Sequence, residues 1–64
     1  MNLYSTRDDA IHYEIILALG EYADEHDIEA IADQVLTTTV GVTSYYYHLN
    51  EDVDFWAVVE DNAL

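Results

Sequence analysis

The chain has 64 residues, of which 14 are Asp or Glu and one is Lys or Arg, and its net charge is −13 with the histidines neutral. This length predicts one small domain over residues 1–64, because a chain of this size buries only about 60% of the surface that its unfolded state exposes. The one basic residue, Arg7, cannot neutralise phosphates, which excludes direct binding to nucleic acid or to anionic membranes, and no apolar run approaches the about 20 residues of a transmembrane helix.

The first predicted element is an amphipathic helix that begins after Ser5 or Thr6. Either hydroxyl can cap the helix, and Asp8 and Asp9 then lie in the first turn, where the helix dipole favours negative charge. Apolar residues at three- and four-residue spacing form one stripe: Ile11, Ile15, Ala18, Leu19 and Tyr22. Gly20 is a weak point in this helix, since glycine costs roughly 1 kcal/mol relative to alanine in a helix interior.

A second helix is predicted after the polar residues 24–27, with Asp27 as its N-cap. Its apolar stripe follows the spacing of an amphipathic helix: Ile28, Ile31, Ala32, Val35 and Leu36. Residues 37–39 are all threonine and are predicted to end the helix, because β-branched residues lower helix propensity. The two helices are expected to form an antiparallel pair joined by a short turn.

Residues 40–49 are predicted to be extended, with these inward positions: Val40, Val42, Tyr45, Tyr47 and Leu49. The last segment is open to two interpretations. As a helix it is capped by Asn50, with acidic residues in its first turn; as a strand, residues 53–59 form a hairpin with residues 45–49. The cap chemistry favours the helix, and the three-residue connection lacks the glycine that such hairpins need. The predicted fold class is mainly α, and the alternative is α+β with a C-terminal β-hairpin.

Residues 27–36 (DIEAIADQVL) and 54–62 (DFWAVVEDN) carry a resemblance. They resemble two segments of small acidic proteins from actinobacterial phages, in which a "D-x-D-A-I" helix and a short loop precede a "D-E-F-W-x-I-V" helix. The resemblance covers about half the chain and implies a compact helical protein of mobile-element origin, without a known activity. Residues 43–49, which are rich in tyrosine, depart from that pattern.

The sequence contains few of the residues and motifs that enzymes use for catalysis. There is no Cys or Lys, and neither Ser5 nor Ser44 lies in a nucleophile motif. Only Gly20 and Gly41 are present, so no glycine-rich phosphate loop exists. We therefore predict that the protein is not an enzyme and uses no cofactor.

Two patterns imitate metal sites. Asp8 and His12 lie one helical turn apart and could form one edge of a site, but a surface histidine beside a carboxylate is the favoured interpretation. Asn50, Asp52 and Asp54 have the spacing of a calcium loop, but Phe55 occupies the position that requires glycine. No metal site is predicted.

Aromatic residues offer two candidate roles. If residues 45–47 are extended, Tyr46 faces away from Tyr45 and Tyr47, and it is either merely exposed or an anchor for a partner, since exposed tyrosine is enriched at binding hot spots. Trp56 is assigned to the core, because large aromatic side chains dominate small cores.

Acidic residues cluster in two places. The first cluster surrounds the turn between the two helices and comprises Glu21, Asp24, Glu25, Asp27, Glu29 and Asp33. The second lies near the C-terminus and comprises Glu51, Asp52 and Asp54, followed by Glu60 and Asp61. Carboxylates one helical turn apart, such as Glu29 and Asp33, have Cβ atoms about 6 Å apart, close to the phosphate spacing along a strand. Clustering strengthens the local field, because salt screens charges beyond about 8 Å.

The leading hypothesis is therefore a small acidic inhibitor that mimics nucleic acid and blocks the basic groove of a nucleic-acid-binding protein in the cytoplasm. With the phage resemblance, this predicts a counter-defence factor (anti-CRISPR or anti-restriction) or a host-takeover factor. The first acidic cluster would stand in for phosphates, and Tyr46 would be the anchor. The alternative is a self-associating assembly module, such as a homodimer, whose acidity serves solubility or salt adaptation.

Overall fold

The computed structural model of the protein describes residues 2–64 and shows three helices and one two-stranded sheet. Helix α1 consists of three consecutive stretches, α-helical Arg7–Ile11, π-helical His12–Ile16 and α-helical Leu17–Leu19, and a 3₁₀ segment, Gly20–Glu25, follows it. The remaining elements are α2 (Ile28–Val35), β1 (Leu36–Val40), β2 (Tyr45–Leu49) and α3 (Phe55–Asp61). The prediction of a mainly α fold is wrong, because the protein is a compact α+β domain.

Helix α1 begins where the sequence predicts, with Thr6 as its N-cap. The Thr6 hydroxyl accepts a hydrogen bond from the backbone N–H of Asp9 at 3.2 Å. Within the π-helical stretch, the N–H of Leu17 donates to the carbonyl of His12, five residues earlier. The large buried side chains of α1 follow a four-residue repeat, Ile11, Ile15 and Leu19, which suits a turn wider than that of an α-helix. Ala18 and Tyr22 of the predicted stripe are exposed instead.

Gly20 lies at the end of α1 rather than in its interior, which corrects the sequence-based interpretation. Its backbone has φ 59° and ψ −128°, a conformation that is open to glycine but strained for an L-residue with a side chain. Gly20 thus ends the helix and turns the chain into the 3₁₀ segment that leads to α2.

Substituting Gly20 separates backbone strain from steric crowding, because nothing lies within 4 Å of a Cβ built at this position. We expect Gly20→Ala to lower the free energy of unfolding by about 1–2 kcal/mol through strain alone. D-Alanine, introduced by chemical synthesis, accepts this backbone conformation and should be at least as stable as glycine. Urea unfolding followed by circular dichroism checks both. Equal destabilisation by the two enantiomers would contradict the backbone explanation.

Helix α2 is capped by Asp27, as predicted, and supplies the centre of the core. The carboxylate of Asp27 accepts a hydrogen bond from the N–H of Ala30 at 3.2 Å. Its apolar stripe packs against the buried residues of α1 and α3, so that one cluster joins the three helices: Ile11, Ile15, Leu19, Ile31, Ala32, Val35 and Val59. Leu36 and Leu49, where the hairpin meets the helices, pack at the edge of this cluster.

Strand β1 contains the three threonines that were predicted only to end a helix. It pairs antiparallel with the tyrosine-rich β2, from Leu36 opposite Leu49 to Val40 opposite Tyr45. Threonine and tyrosine both favour a pleated strand, and this cross-strand pairing prevails over the helical pattern. The turn end of the hairpin is exposed, and Val40 is 89% accessible. The prediction of inward positions is therefore wrong for Val40, Val42 and Tyr45, which are all exposed.

The prediction of a C-terminal helix is confirmed by α3, which spans Phe55–Asp61. Its N-cap is Asp54, however, and not Asn50 as predicted. The Asp54 carboxylate accepts from the N–H of Ala57 at 3.2 Å, whereas Asn50 accepts from the N–H of Asp52 in the preceding turn. The alternative hairpin between residues 45–49 and 53–59 is absent, because β2 pairs with β1. Val59 is buried, but Trp56 is 56% exposed, so the assignment of Trp56 to the core is wrong.

Ile15 offers a direct test of the core, because it is fully buried while Leu17, two residues later, is exposed. We expect Ile15→Ala to lower the free energy of unfolding by about 2–4 kcal/mol through lost burial and a residual cavity. Leu17→Ala, the matched control, should change it by less than about 0.5 kcal/mol. Urea denaturation measures both. A large loss from Leu17→Ala would show that the core extends to the outer face of α1.

Candidate functional site

Part of each acidic cluster lies at one end of the molecule, which we call the acidic end. The segment after α3 runs beside the start of α2: the N–H of Asp27 donates to the carbonyl of Asn62 at 2.9 Å, and the N–H of Leu64 donates to the carbonyl of Glu25 at 2.8 Å. His26 and Ala63 form an antiparallel bridge between these two bonds. This backbone pairing brings the last carboxylates of the second cluster beside the first cluster.

The acidic end is formed by six exposed carboxylates: Glu21, Asp24, Glu25, Asp27, Glu60 and Asp61. Four belong to the predicted first cluster, and the pairing of residues 62–64 with residues 25–27 adds the other two. The sequence identified both clusters, but it did not predict that Glu60 and Asp61 lie beside the first cluster, because no local pattern indicates a bridge between His26 and Ala63. The 3₁₀ segment further concentrates the charge by placing three of these residues in one short stretch.

Glu29 and Asp33, also predicted as phosphate stand-ins, are held by Arg7. Nη1 of Arg7 donates to Oε2 of Glu29 at 2.6 Å, and Nη2 donates to Oδ1 of Asp33 at 2.8 Å. These hydrogen bonds, the one to Glu29 first, raise the pKa of Arg7 above its usual value. The guanidinium therefore relieves the repulsion between two carboxylates one helical turn apart and ties α1 to α2.

Removing Arg7 should expose that repulsion. We expect Arg7→Gln to lower the free energy of unfolding by about 0.5–1 kcal/mol in dilute buffer, and by less in concentrated salt, because the ion pairs are solvent-accessible. In a Glu29→Gln, Asp33→Asn background, the same change should have little effect. A thermodynamic cycle from urea unfolding measures the difference. An equal loss in both backgrounds would show that Arg7 acts through packing alone.

The other predicted site residues lie elsewhere. Glu51, Asp52 and Asp54 are exposed in the connection between β2 and α3, where Asp54 also caps α3. Tyr46 is half-buried, and its ring lies so close to Gly41 that a Cβ there would approach Cε2 of Tyr46 to 2.6 Å. The ring of Tyr46 thus packs along the hairpin turn, while Tyr45 is the more exposed of the two.

An aromatic groove lies between α1 and α3, and the sequence analysis did not identify it. It is lined by Tyr13, Glu14, Leu17, Ala18, Leu49, Phe55 and Trp56. The sequence carried no signal for it, because the size of Trp56 predicted a core position, whereas Leu17 and Trp56 are both exposed. The rings of Phe55 and Trp56 meet edge to face, with centroids 5.0 Å apart.

Tyr4 ties the start of the chain to this region. Its hydroxyl donates to Oε1 of Glu14 at 2.6 Å, and this hydrogen bond, followed by desolvation, raises the pKa of Tyr4. Its ring stacks on Tyr13 with centroids 5.8 Å apart. Its backbone exchanges two hydrogen bonds with Tyr47 of β2, at 2.9 and 2.8 Å, which extends the sheet by one residue beyond β2.

Histidines and carboxylates do not gather into a metal site in the part of the chain that the structure describes. No three His, Cys, Asp or Glu side chains among residues 2–64 are placed to share an ion. The Nδ1 atoms of His26 and His48 instead donate to the carbonyls of Tyr22 and Leu49, at 2.8 and 2.9 Å. Separately, none of the helices over residues 2–64 has the length and apolar character to cross a bilayer.

Comparison of the chain with protein-family models, curated proteins and solved structures finds no match. The resemblance to small acidic phage proteins therefore stays a prediction, and function is argued from surface chemistry alone.

Proposed function

We propose that this protein is a small acidic inhibitor that binds a basic nucleic-acid-binding protein by presenting the acidic end in place of a phosphate backbone. The observation that carries the proposal is the pairing of residues 62–64 with residues 25–27, which brings Glu60 and Asp61 to the part of the first acidic cluster around the 3₁₀ segment. Six exposed carboxylates then lie on neighbouring segments. Their combined field steers a cationic partner more strongly than evenly spaced charges, because screening limits each charge to about 8 Å.

The balance of charges supports the same partner chemistry. Among residues 2–64, Arg7 is the only Lys or Arg, and it is already shared by Glu29 and Asp33. The acidic end therefore has no Lys or Arg of its own to neutralise it. A partner rich in Lys and Arg would supply the missing cations, much as it does for phosphates.

Shape also favours mimicry. The molecule measures 38 × 21 × 17 Å, so its cross-section is close to the width of a nucleic-acid duplex. A groove shaped for nucleic acid could therefore enclose it. Targets of this chemistry include the nucleic-acid grooves of CRISPR effectors, restriction enzymes, and host transcription or replication proteins, all of them in the cytoplasm.

The test is competition for a nucleic-acid-binding protein captured on this chain at low salt. The protein should displace a labelled duplex from it, and displacement should weaken as salt rises. Changing Glu21 and Glu25 to Gln and Asp24 and Asp27 to Asn should weaken inhibition by about tenfold or more, since these charges face the partner directly. Asn at position 27 still caps α2, so the fold is preserved. Fluorescence polarisation of the duplex gives the inhibition constants.

The matched control changes four carboxylates outside the acidic end, Asp8, Asp9, Asp52 and Asp54, to Asn, which still caps α3 at position 54. It alters the net charge by the same amount and should leave most of the inhibition in place. If both quadruple variants inhibit as well as the parent, the mimic proposal is wrong. If both quadruple variants lose the same share of inhibition, inhibition depends on the net charge of the protein and the acidic end has no special role.

A second candidate function is self-association through the hairpin. Within residues 2–64, β1 pairs with β2 on one side only, and its outer edge carries exposed Thr38, Thr39 and Val40. An unpaired edge can add a strand from a second copy. Analytical ultracentrifugation distinguishes the two functions: a salt-insensitive dimer that Thr38→Pro abolishes favours assembly, and a monomer at all salt concentrations excludes it.

A further inference from the structure

Two adjoining hollows with different chemistry form a continuous surface beside α1. The polar hollow, about 240 Å³ in volume, is lined by Asn2, Glu14, Leu49 and Glu51. The aromatic groove, about 520 Å³, shares Glu14 and Leu49 with it. A ligand that spans both hollows would meet two carboxylates in one and aromatic and aliphatic side chains in the other.

The aromatic groove is left open by the fold. Leu17, Trp56 and Tyr13 are 59%, 56% and 54% exposed, although side chains of this kind stabilise a protein when they are buried. Clustered exposed aromatic residues are characteristic of sites that bind partners. The groove also shares only Glu14 with the acidic residues of the chain, so it is distinct from the acidic end.

Glu14 is positioned before any ligand arrives. The Tyr4 hydroxyl donates to one of its two carboxylate oxygens, and the stacked Tyr4 and Tyr13 rings fix the neighbouring wall. Glu14 also lies in the π-helical stretch of α1, a distortion that often marks functional sites. A half-buried carboxylate held in this way is prepared for a guanidinium or ammonium group.

Charge decides which occupant fits. A second copy of the chain would bring another −13 charges to a site that already contains Glu14 and Glu51, and its single Arg7 is engaged by Glu29 and Asp33. Repulsion therefore disfavours a homodimer at this surface. A partner segment with a Lys or Arg beside an apolar side chain complements both hollows at once.

We propose that this two-part surface, independently of the nucleic-acid mimicry, is a docking site for a segment of a partner protein that places an apolar side chain in the aromatic groove and an adjacent Lys or Arg between Glu14 and Glu51. Trp56 is the only tryptophan of the chain. Its fluorescence therefore reports on the surroundings of the aromatic groove.

The experiment titrates the full chain with a short synthetic peptide that repeats Leu-Leu-Lys-Arg, and follows Trp56 emission. Binding should shift the emission to shorter wavelength and saturate. Leu17→Ser should weaken binding by about tenfold through lost apolar contact. Glu51→Gln should weaken it by about three- to tenfold, and the charge-matched control Asp8→Asn by less than twofold, because the Asp8 carboxylate lies in the first turn of α1, outside both hollows and outside the acidic end. A peptide with Ser in place of Leu should leave the emission unchanged.

Several outcomes would overturn the proposal. Trp56 emission that does not change at millimolar peptide would do so. Equal weakening by Glu51→Gln and Asp8→Asn would also do so, since it would mean that the peptide is attracted to negative charge in general. Equal binding of the Leu and Ser peptides would show that the aromatic groove does not contribute to the site. A concentration-dependent shift without peptide would assign the groove to a second copy. None of these results depends on duplex displacement, so the two proposals fail separately. Glu51→Gln keeps the test decisive if Leu17→Ser unfolds.

Discussion

A core of seven buried apolar side chains has to hold together a chain with a net charge of −13. The centre of this core is the contact of Ile15 on α1 with Ile31 and Val35 on α2, the largest fully buried side chains of the molecule. So small a core supplies only a few kcal/mol of net stability. The fold therefore also relies on backbone pairing at its margins: Tyr4 with β2, and residues 62–64 with the start of α2. Arg7 then relieves repulsion where α1 and α2 meet.

Features governed by neighbouring residues could be predicted from the sequence. Thr6 and Asp27 cap α1 and α2 because a short polar side chain beside an apolar stripe is a local signal. Strand β1 could not be predicted in this way, because Thr37–Thr39 become a strand only by pairing with Tyr46–His48, across a turn and at a register that the pattern does not encode. Trp56 was misplaced for a related reason. The size of a side chain indicates that it gains from burial, but only the arrangement of α1 and β2 shows that no element covers it.

The same distinction between local patterns and contacts of distant segments applies to the candidate site. The sequence identified the acidic residues, since composition and spacing are local properties. It could not show that Glu60 and Asp61 lie close to Glu25, or that Arg7 forms ion pairs with Glu29 and Asp33. Both arrangements depend on how segments that are distant in the sequence pack together. Arg7 thus offsets part of the negative charge on the face of α2, whereas the carboxylates of the 3₁₀ segment and of the end of α3 form no ion pair within residues 2–64. It also gives Tyr46 a structural role along the hairpin turn, over Gly41.

The acidic end and the two-part surface would contribute to binding in different ways. Long-range attraction from clustered carboxylates raises the rate of encounter with a cationic partner, and it weakens as salt screens it. Burial of Leu17 and Trp56 acts only at contact and mainly slows dissociation. A protein with one Arg and little core has few other means of holding a partner, since exposed ion pairs contribute about 0–1 kcal/mol each. The exposed aromatic groove is therefore the feature that could convert a fast, nonspecific attraction to cations into selective binding, because an apolar side chain next to a Lys or Arg is a rarer property than positive charge.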